Sequence, residues 1–323
     1  MTSTLPPRDW TAIHWPDIAK GAAARWIVVL PLAATEQHGP HLPLGTDVMI
    51  GEAYLARVQA LLPAAIPATF LPVQPVGIST EHIDFPGTLT LPTEVALNSW
   101  MALGESVARA GVRKLVMVTS HGGNSAAMQL VAQDLRAQHK MLVVTTSWSR
   151  FGTPDGLFDA DELRHGIHGG AVETSIMLAK YPQHVRKDAI ADFKPASIQI
   201  EQDHRLLSTQ RPAPFAWQAQ DLNPSGAIGD ATKASADKGE QLLEHGAGRG
   251  LLGLTGRVLD VDGLHDAVAH QHGVAAAAQA HAAGGEVQRD PAGFGEFGRT
   301  VGQHAHLALG LLVARPGTHH EGV

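Results

Sequence analysis

The chain has 323 residues, a formal net charge of −7 and no cysteine. Without cysteine it can form neither disulfides nor thiolate metal sites, so any metal must be bound by imidazole and carboxylate groups. The negative charge argues against a nucleic-acid partner, which needs clustered Lys and Arg. No signal-peptide pattern and no apolar run of the roughly eighteen residues that a membrane span needs are present, which favours a cytoplasmic protein without a membrane partner.

Apolar runs alternate with helical patterns along residues 1–245, which we expect to form one domain. The run from Trp26 to Leu32 is continuous, as is typical of a strand buried on both faces of a parallel sheet. Further strands are predicted at 70–76, 114–118 and 141–145, and helices at 47–61, 93–110 and 124–139. The alternation predicts an α/β fold with a mostly parallel, doubly wound sheet, which binds ligands at the carboxyl ends of its strands.

The segment directly after the first predicted strand concentrates metal-ligand residue types. Glu36 and His38 are two residues apart and share a side if the chain stays extended. Asp47 opens the next predicted helix, where a carboxylate can both cap and coordinate. For any one of these residues, ordinary packing or capping is an alternative of about equal weight, but the group as a whole predicts a metal site.

Two later segments follow the same design. His121 comes after the third predicted strand, with Asn124 as a predicted N-cap of the following helix. His168 precedes another helical pattern, and Glu173 lies about a turn inside it. Taken alone, the segment around His121 could be a glycine-rich turn. Glu173 could serve only to interact favourably with the dipole at the start of its helix, which is worth ~0.3–1 kcal/mol.

A fourth segment follows the second predicted strand. It contains Glu81 and His82, which we expect to shape a substrate pocket and not to ligate metal. The alternative is that both are ordinary polar loop residues.

Four segments in this order, TEQHGPHLPLGTD, EHIDFPGTLTLP, SHGGN and HGIHGGAVETS, resemble the creatininase (creatinine amidohydrolase) family over about residues 8–245. The resemblance implies a three-layer α/β/α fold, a homo-oligomer that is often a hexamer, and two divalent metal ions, Zn, Mn or Fe. It implies Glu36, Asp47 and His121 as ligands of one metal and His38, Asp47 and Glu173 as ligands of the other. His168 matches the family's proton-transfer histidine, and Trp148 loosely matches a substrate-covering tryptophan.

Gly123 departs from creatininase proper, which has a carboxylate ligand at this place. Glu173 would have to take over that role. The HGGN form resembles the broader family, which includes formamide deformylases and a peptidase that matures a redox-cofactor precursor. The sequence therefore predicts an HGGN-type family member, not clearly creatininase itself.

The implied function is hydrolysis of an amide, cyclic amide or formamide C–N bond in a small molecule. Two cations would lower the pKa of a shared water from 15.7 toward about 7, and the resulting hydroxide would attack the carbonyl. His168 would pass a proton to the departing nitrogen. Two alternatives stay open: cleavage of a peptide by the same site, and a metal-binding protein without catalysis, which the presence of His168 argues against.

The composition changes after about residue 245. Segment 246–323 is rich in Gly, Ala and His and contains no lysine. Such a composition is typical of a disordered tail or of metal chelation, and it also fits an altered reading frame in a GC-rich gene. We expect catalysis not to depend on it.

Overall fold

The central sheet has four parallel strands. A computed structural model describes residues 5–19, 22–204, 206–210 and 212–251, together with Gly253 and Val258. The strands are β1 (Ile27–Leu32), β2 (Ala68–Phe70), β3 (Lys114–Thr119) and β4 (Leu142–Ser147), in the spatial order β2-β1-β3-β4. β1 and β3 are buried at every position, which explains why their sequences are apolar without alternation.

Helices cover both faces of this sheet. On one face, α2 (Thr46–Leu61), α6 (Ala171–Lys180) and α9 (Ala236–His245) pack with Ile27 and Val29 of β1. On the other face, α3 (Thr93–Arg109) and α4 (Ser125–His139) pack with Val28 and Leu30. Successive β1 side chains thus enter opposite cores, and the predicted three-layer α/β/α fold is confirmed.

The remaining α-helices and strands are short. They are the helices α1 (Trp15–Ala19), α5 (Ala160–His165), α7 (Ser197–Asp203) and α8 (Ala219–Leu222), and the strands β5 (Asp192–Phe193), β6 (Leu207–Ser208), β7 (Ala213–Pro214) and β8 (Gly229–Asp230). β5 pairs antiparallel with β8, and β6 pairs parallel with β7. Within the described ranges no helix is long and apolar enough to cross a membrane.

One predicted strand is largely wrong. The structure ends β2 at Phe70, whereas the apolar pattern predicted a strand at 70–76. Pro72 and Pro75 lack the N–H that a sheet ladder requires, so only an isolated bridge at Gln74 continues the pairing with β1.

The described chain continues past α9 as a π-helix, Gly246–Leu251. Most of the predicted C-terminal segment 246–323 lies outside the described residues, so the predicted boundary at residue 245 and the predicted nature of this segment stay predictions.

Candidate metal centre

The carboxyl ends of the strands bring the candidate residues to one edge of the sheet. Leu32, Thr119 and Ser147 are the last residues of neighbouring strands and stand in register. The loop after β1 therefore lies beside the loop that carries His121. α6 adds Glu173 as its third residue, and an isolated bridge to Ile228 fixes the backbone of His168.

Two groups of ligand-type side chains share Asp47. In the first group, His121 Nδ1 lies 3.0 Å from Glu36 Oε1 and 3.5 Å from Asp47 Oδ2. In the second group, His38 Nε2 lies 3.5 Å from Asp47 Oδ1 and 3.9 Å from Glu173 Oε2. The ligand atoms within each group all lie within 4.8 Å of one another, which is close enough for one cation to contact all three.

The second nitrogen of each imidazole is held by a backbone carbonyl. His38 Nδ1 donates to Glu36 O at 3.1 Å, and His121 Nε2 donates to Ile78 O at 2.7 Å. These hydrogen bonds leave His38 Nε2 and His121 Nδ1 as the nitrogens that face the carboxylates. Metal-binding histidines are commonly oriented in this way, with the outer N–H donated to a carbonyl or carboxylate.

Several buried atoms of the cluster have no hydrogen-bond partner other than the histidines and carboxylates of the cluster itself. They are both carboxylate oxygens of Glu36, Oδ2 of Asp47 and Nε2 of His38. A buried polar atom without a partner costs about 1–3 kcal/mol, so a cluster of them needs an explanation. Divalent cations satisfy oxygen and imidazole donors of this kind, and the donor set suits Zn, Mn or Fe.

The electrostatics of the cluster also fit cation binding. Burial opposes the charged form of His38, but Asp47, Glu173 and Glu36 outweigh it and raise its pKa to about 9. Burial likewise opposes protonation of His121, whereas Glu36, Asp47 and Glu81 raise its pKa to about 10. The carboxylates thus attract positive charge into a buried space, and metals would displace protons there.

His168 lies at the same cluster in a different role. Its Nε2 donates to Gln37 O at 2.6 Å, and its Nδ1 lies 3.7 Å from Glu36 Oε1. Burial, followed by the nearby His38 and His82, places the pKa of His168 well below its ordinary value. The imidazole is therefore neutral, and Nδ1 is its lone-pair nitrogen. Glu36, His38 and His168 also form a third group with ligand-type spacing.

A cavity of about 700 Å³ opens onto this cluster. Glu81, His82 and Trp148 line it, at positions where the sequence predicted a pocket. Trp148 is buried and stacks on Tyr54 with ring centroids 4.5 Å apart. Glu81 Oε1 lies 3.6 Å from His121 Nε2, so it approaches the cluster from outside the two ligand groups.

Asn124 occupies the predicted N-cap position of α4 but does not cap the helix with its side chain. Instead its Oδ1 accepts from Ile78 N at 3.0 Å and its Nδ2 donates to Ala33 O at 3.1 Å. These bonds join the loops after β1 and β2, a tertiary role that outweighs the local capping preference.

Gln37 was not singled out by the sequence. Its amide lies within hydrogen-bond distance of His82 and Gly226 O, although these residues are remote in the chain. Only its position between two ligand candidates could have drawn attention to it.

Comparisons with known proteins agree with the α/β/α fold and with a metal-binding site. The family model described as Creatininase: Creatinine amidohydrolase matches residues 11–250. The chain is 33% identical over 221 residues to the mycofactocin precursor peptide peptidase of Mycobacterium ulcerans (strain Agy99), which covers 67% of this chain and 79% of that protein. It is 30% identical over 242 residues to the creatinine amidohydrolase of Pseudomonas putida, covering 70% and 87%. A solved structure of creatininase with Mn superposes with a TM-score of 0.62 at 26% identity, covering 77% and 97%.

The fold and the candidate metal centre thus define an α/β protein with groups of metal-ligand-type side chains at the carboxyl edge of its sheet. The chain belongs to the creatininase family.

Proposed function

We propose that the protein is a metal-dependent amidohydrolase that cleaves a C–N bond of a small amide, cyclic amide or formamide. The observation that supports this most directly is the pair of ligand groups that share Asp47, with unpartnered donor atoms beside a cavity. Family membership supports a hydrolase, and the substrate is the finer part of the proposal.

Two divalent ions fit the residues present. Glu36, Asp47 and His121 would hold one, and His38, Asp47 and Glu173 would hold the other. When bound, such a pair of cations supplies Lewis-acid activation of both a water molecule and the scissile carbonyl.

The chain's own groups would then position the substrate and move the proton. His168 is proposed to accept a proton at Nδ1 and to deliver it to the departing nitrogen, because its Nε2 is committed to the Gln37 carbonyl. Glu81, His82 and Trp148 would form the substrate wall.

The size of the cavity favours a second candidate, a peptidase. A space of about 700 Å³ lies in the range of pockets for drug-sized ligands, about 300–1,000 Å³, and exceeds what a small cyclic amide fills. One relative is named as a peptidase of the mycofactocin precursor peptide. The same site could cleave a peptide bond, since the chemistry of amide hydrolysis is shared.

A hydrolysis screen distinguishes the two candidates. The protein is stripped with a chelator, restored separately with Zn²⁺, Mn²⁺ or Fe²⁺, and tested on creatinine, formamides and short peptides. Turnover of creatinine or a formamide supports the first candidate, and turnover of peptides alone supports the second. Metal binding without turnover of any of these substrates would leave the metal site standing and would contradict both substrate assignments. The resemblance implies a homo-oligomer that is often a hexamer. This assembly and the cytoplasmic location stay predictions.

A further inference from the structure

The side chain of Gln37 is buried between four potential hydrogen-bond partners. Its Oε1 accepts from the backbone N–H of Gly39 at 2.8 Å. Its Nε2 lies 3.0 Å from Gly226 O, 2.7 Å from His82 Nδ1 and 3.2 Å from His168 Nε2. Because Oε1 faces a donor and Nε2 faces a carbonyl, the orientation of the amide is fixed by its surroundings.

An amide nitrogen has two hydrogens, so only two of the three neighbours can accept from it. His168 Nε2 lies 2.6 Å from the backbone carbonyl oxygen of Gln37 and must carry a hydrogen to donate to it. It therefore cannot also accept from the Gln37 amide. The two amide hydrogens go to Gly226 O and His82 Nδ1.

This assignment determines the tautomer of His82. Since Nδ1 accepts, the ring hydrogen of His82 is on Nε2. That nitrogen faces Glu36 Oε1 at 3.4 Å. An N–H directed at the carboxylate is attractive, whereas the opposite tautomer would direct a lone pair at it. Gln37 thus decides the sign of the interaction between His82 and Glu36.

The rings and backbone around the network leave little freedom for another arrangement. His82 stacks on His168 with centroids 4.2 Å apart, and His168 lies 4.1 Å from His38. Gly226 has φ of +83°, and a Cβ there would collide with the Gln37 amide. The close approach of Gln37 to Gly226 therefore requires glycine at that position.

We propose that Gln37 and His82 are positioning residues: Gln37 holds His82 in the Nε2–H tautomer, and His82 orients the Glu36 carboxylate for the first metal. The proposal rests on the metal site of the proposed function. In this arrangement His82 directs its Nε2–H at a proposed metal ligand, 3.4 Å away, and is not itself a ligand.

Nitrogen NMR of the histidine rings tests the tautomer directly. Wild-type protein is measured metal-free and with Zn²⁺, and the His82 signals are identified by their loss in His82→Phe. We expect a protonated Nε2 and an unprotonated Nδ1 in both states, and a mixture of tautomers in Gln37→Met. A protonated Nδ1 in the wild type would overturn the proposal, because His82 would then present a lone pair to Glu36 or to the metal.

Zinc affinity tests the orienting role. His82→Phe keeps a stacked ring but removes the donor, and we expect it to weaken Zn²⁺ binding about ten- to a hundredfold. His82→Gln restores an N–H near the Nε2 position and should recover most of this loss. Gln37→Met should weaken binding, whereas Gln210→Met, a cavity-lining control outside the network, should not.

The outcomes separate this proposal from the proposed function. Wild-type affinity in both His82→Phe and Gln37→Met, with melting temperatures that show folded proteins, would overturn the orienting role while leaving the metal site intact. Wild-type protein that binds no Zn²⁺ would contradict the proposed function and the orienting role together, and the metal-free spectrum would still decide the tautomer.

Discussion

At the scale of single residues, the centre assigns different work to chemically similar side chains. His38 and His121 each give one nitrogen to a carbonyl and direct the other at carboxylates. His168 also gives one nitrogen, Nε2, to a backbone carbonyl, that of Gln37, and its Nδ1 lies 3.7 Å from Glu36 Oε1, whereas His41 bonds to Thr174 Oγ1 at 2.9 Å. The groups that the other nitrogen faces, not the residue type, distinguish these histidines: His38 Nε2 faces both Asp47 and Glu173, whereas His41 Nε2 faces a hydroxyl.

Substitutions should separate ligands from the proton carrier. Glu36→Gln and His121→Ala are expected to lose metal and activity together, because each removes a proposed ligand. His168→Ala should keep its metal and lose about 10²–10⁴-fold in kcat, the usual contribution of a general acid or base. Elemental analysis combined with steady-state kinetics measures both effects. Loss of metal in His168→Ala would instead make His168 a ligand, and full activity would exclude its proton-transfer role.

Gly123 is required by close packing around His121. A Cβ at this position would lie 2.5 Å from Ile78 O and 2.6 Å from Glu81 Oε1, and it would also collide with His121 Nε2. The Glu81 side chain can move, but the Ile78 carbonyl and the His121 ring are held by their mutual hydrogen bond.

We therefore expect Gly123→Ala to weaken metal binding about ten- to a hundredfold, as disruption of an outer hydrogen bond to a ligand does. Gly122→Ala is the matched control, because nothing lies within 4 Å of its added Cβ. Calorimetric titration of both variants with Zn²⁺ measures the difference. Equal affinities in the two variants would show that the Ile78–His121 bond does not support the site.

At the scale of elements, α6 and α9 pack unusually closely. A Cβ on Gly239 would collide with the Ser175 carbonyl and lie 2.8 Å from Ala179 Cβ. Because α6 also carries Glu173, this contact connects the packing of two helices to the position of a proposed ligand.

Gly239→Ala should destabilise the protein by about 1–3 kcal/mol, the usual cost of overpacking, despite the roughly 0.5–1 kcal/mol that alanine normally gains over glycine in a helix. Gly248→Ala, in the π-helix that follows α9, is the control, because its added Cβ meets nothing within 4 Å. Denaturant unfolding monitored by circular dichroism gives both values. A Gly239→Ala protein as stable as the control would mean that the two helices separate without cost.

The sequence predicts these elements well where burial dictates composition. The strands β1 and β3 appear as apolar runs because both faces of the sheet are covered, and the half-buried edge strand β4 is apolar only in its first three residues. The pattern fails after Phe70, where apolar residues continue but prolines prevent pairing. Apolar content indicates burial, whereas the ladder depends on N–H groups that a hydropathy pattern does not represent.

The site is predictable to the extent that its residues lie directly after strands or at the start of helices. Glu36, Asp47 and His121 could be placed together because parallel strands end at one edge. The contribution of Gln37 could not be predicted from the sequence, because it depends on contacts with His82 and Gly226 that form only in the folded chain.

At the scale of the whole molecule, buried histidines connect stability to pH. Burial lowers the pKa of His41 to about 4, from an ordinary value of 6.5. The unfolded chain takes up a proton near pH 6.5, but the folded chain does so only near pH 4. The stability that neutral His41 contributes is therefore complete above pH 6.5 and is lost as the pH falls from 6.5 toward 4.

His41→Gln keeps a hydrogen-bonding group toward Thr174 and removes this titration. With metal removed by chelator, wild type should lose stability relative to His41→Gln between pH 7.5 and pH 4.5, by an amount on the order of 2–3 kcal/mol. Urea unfolding at both pH values measures the difference. Parallel stability changes in the two proteins would contradict a buried neutral His41.

We propose that the carboxyl edge of the sheet binds two metal ions that share Asp47. Metal content of chelated and Zn²⁺-reconstituted protein, compared with Asp47→Ala, tests it most directly. We predict two ions per wild-type chain and the loss of both in Asp47→Ala, with both proteins folded by circular dichroism. One ion or none per wild-type chain, or two ions retained by Asp47→Ala, would contradict the claim.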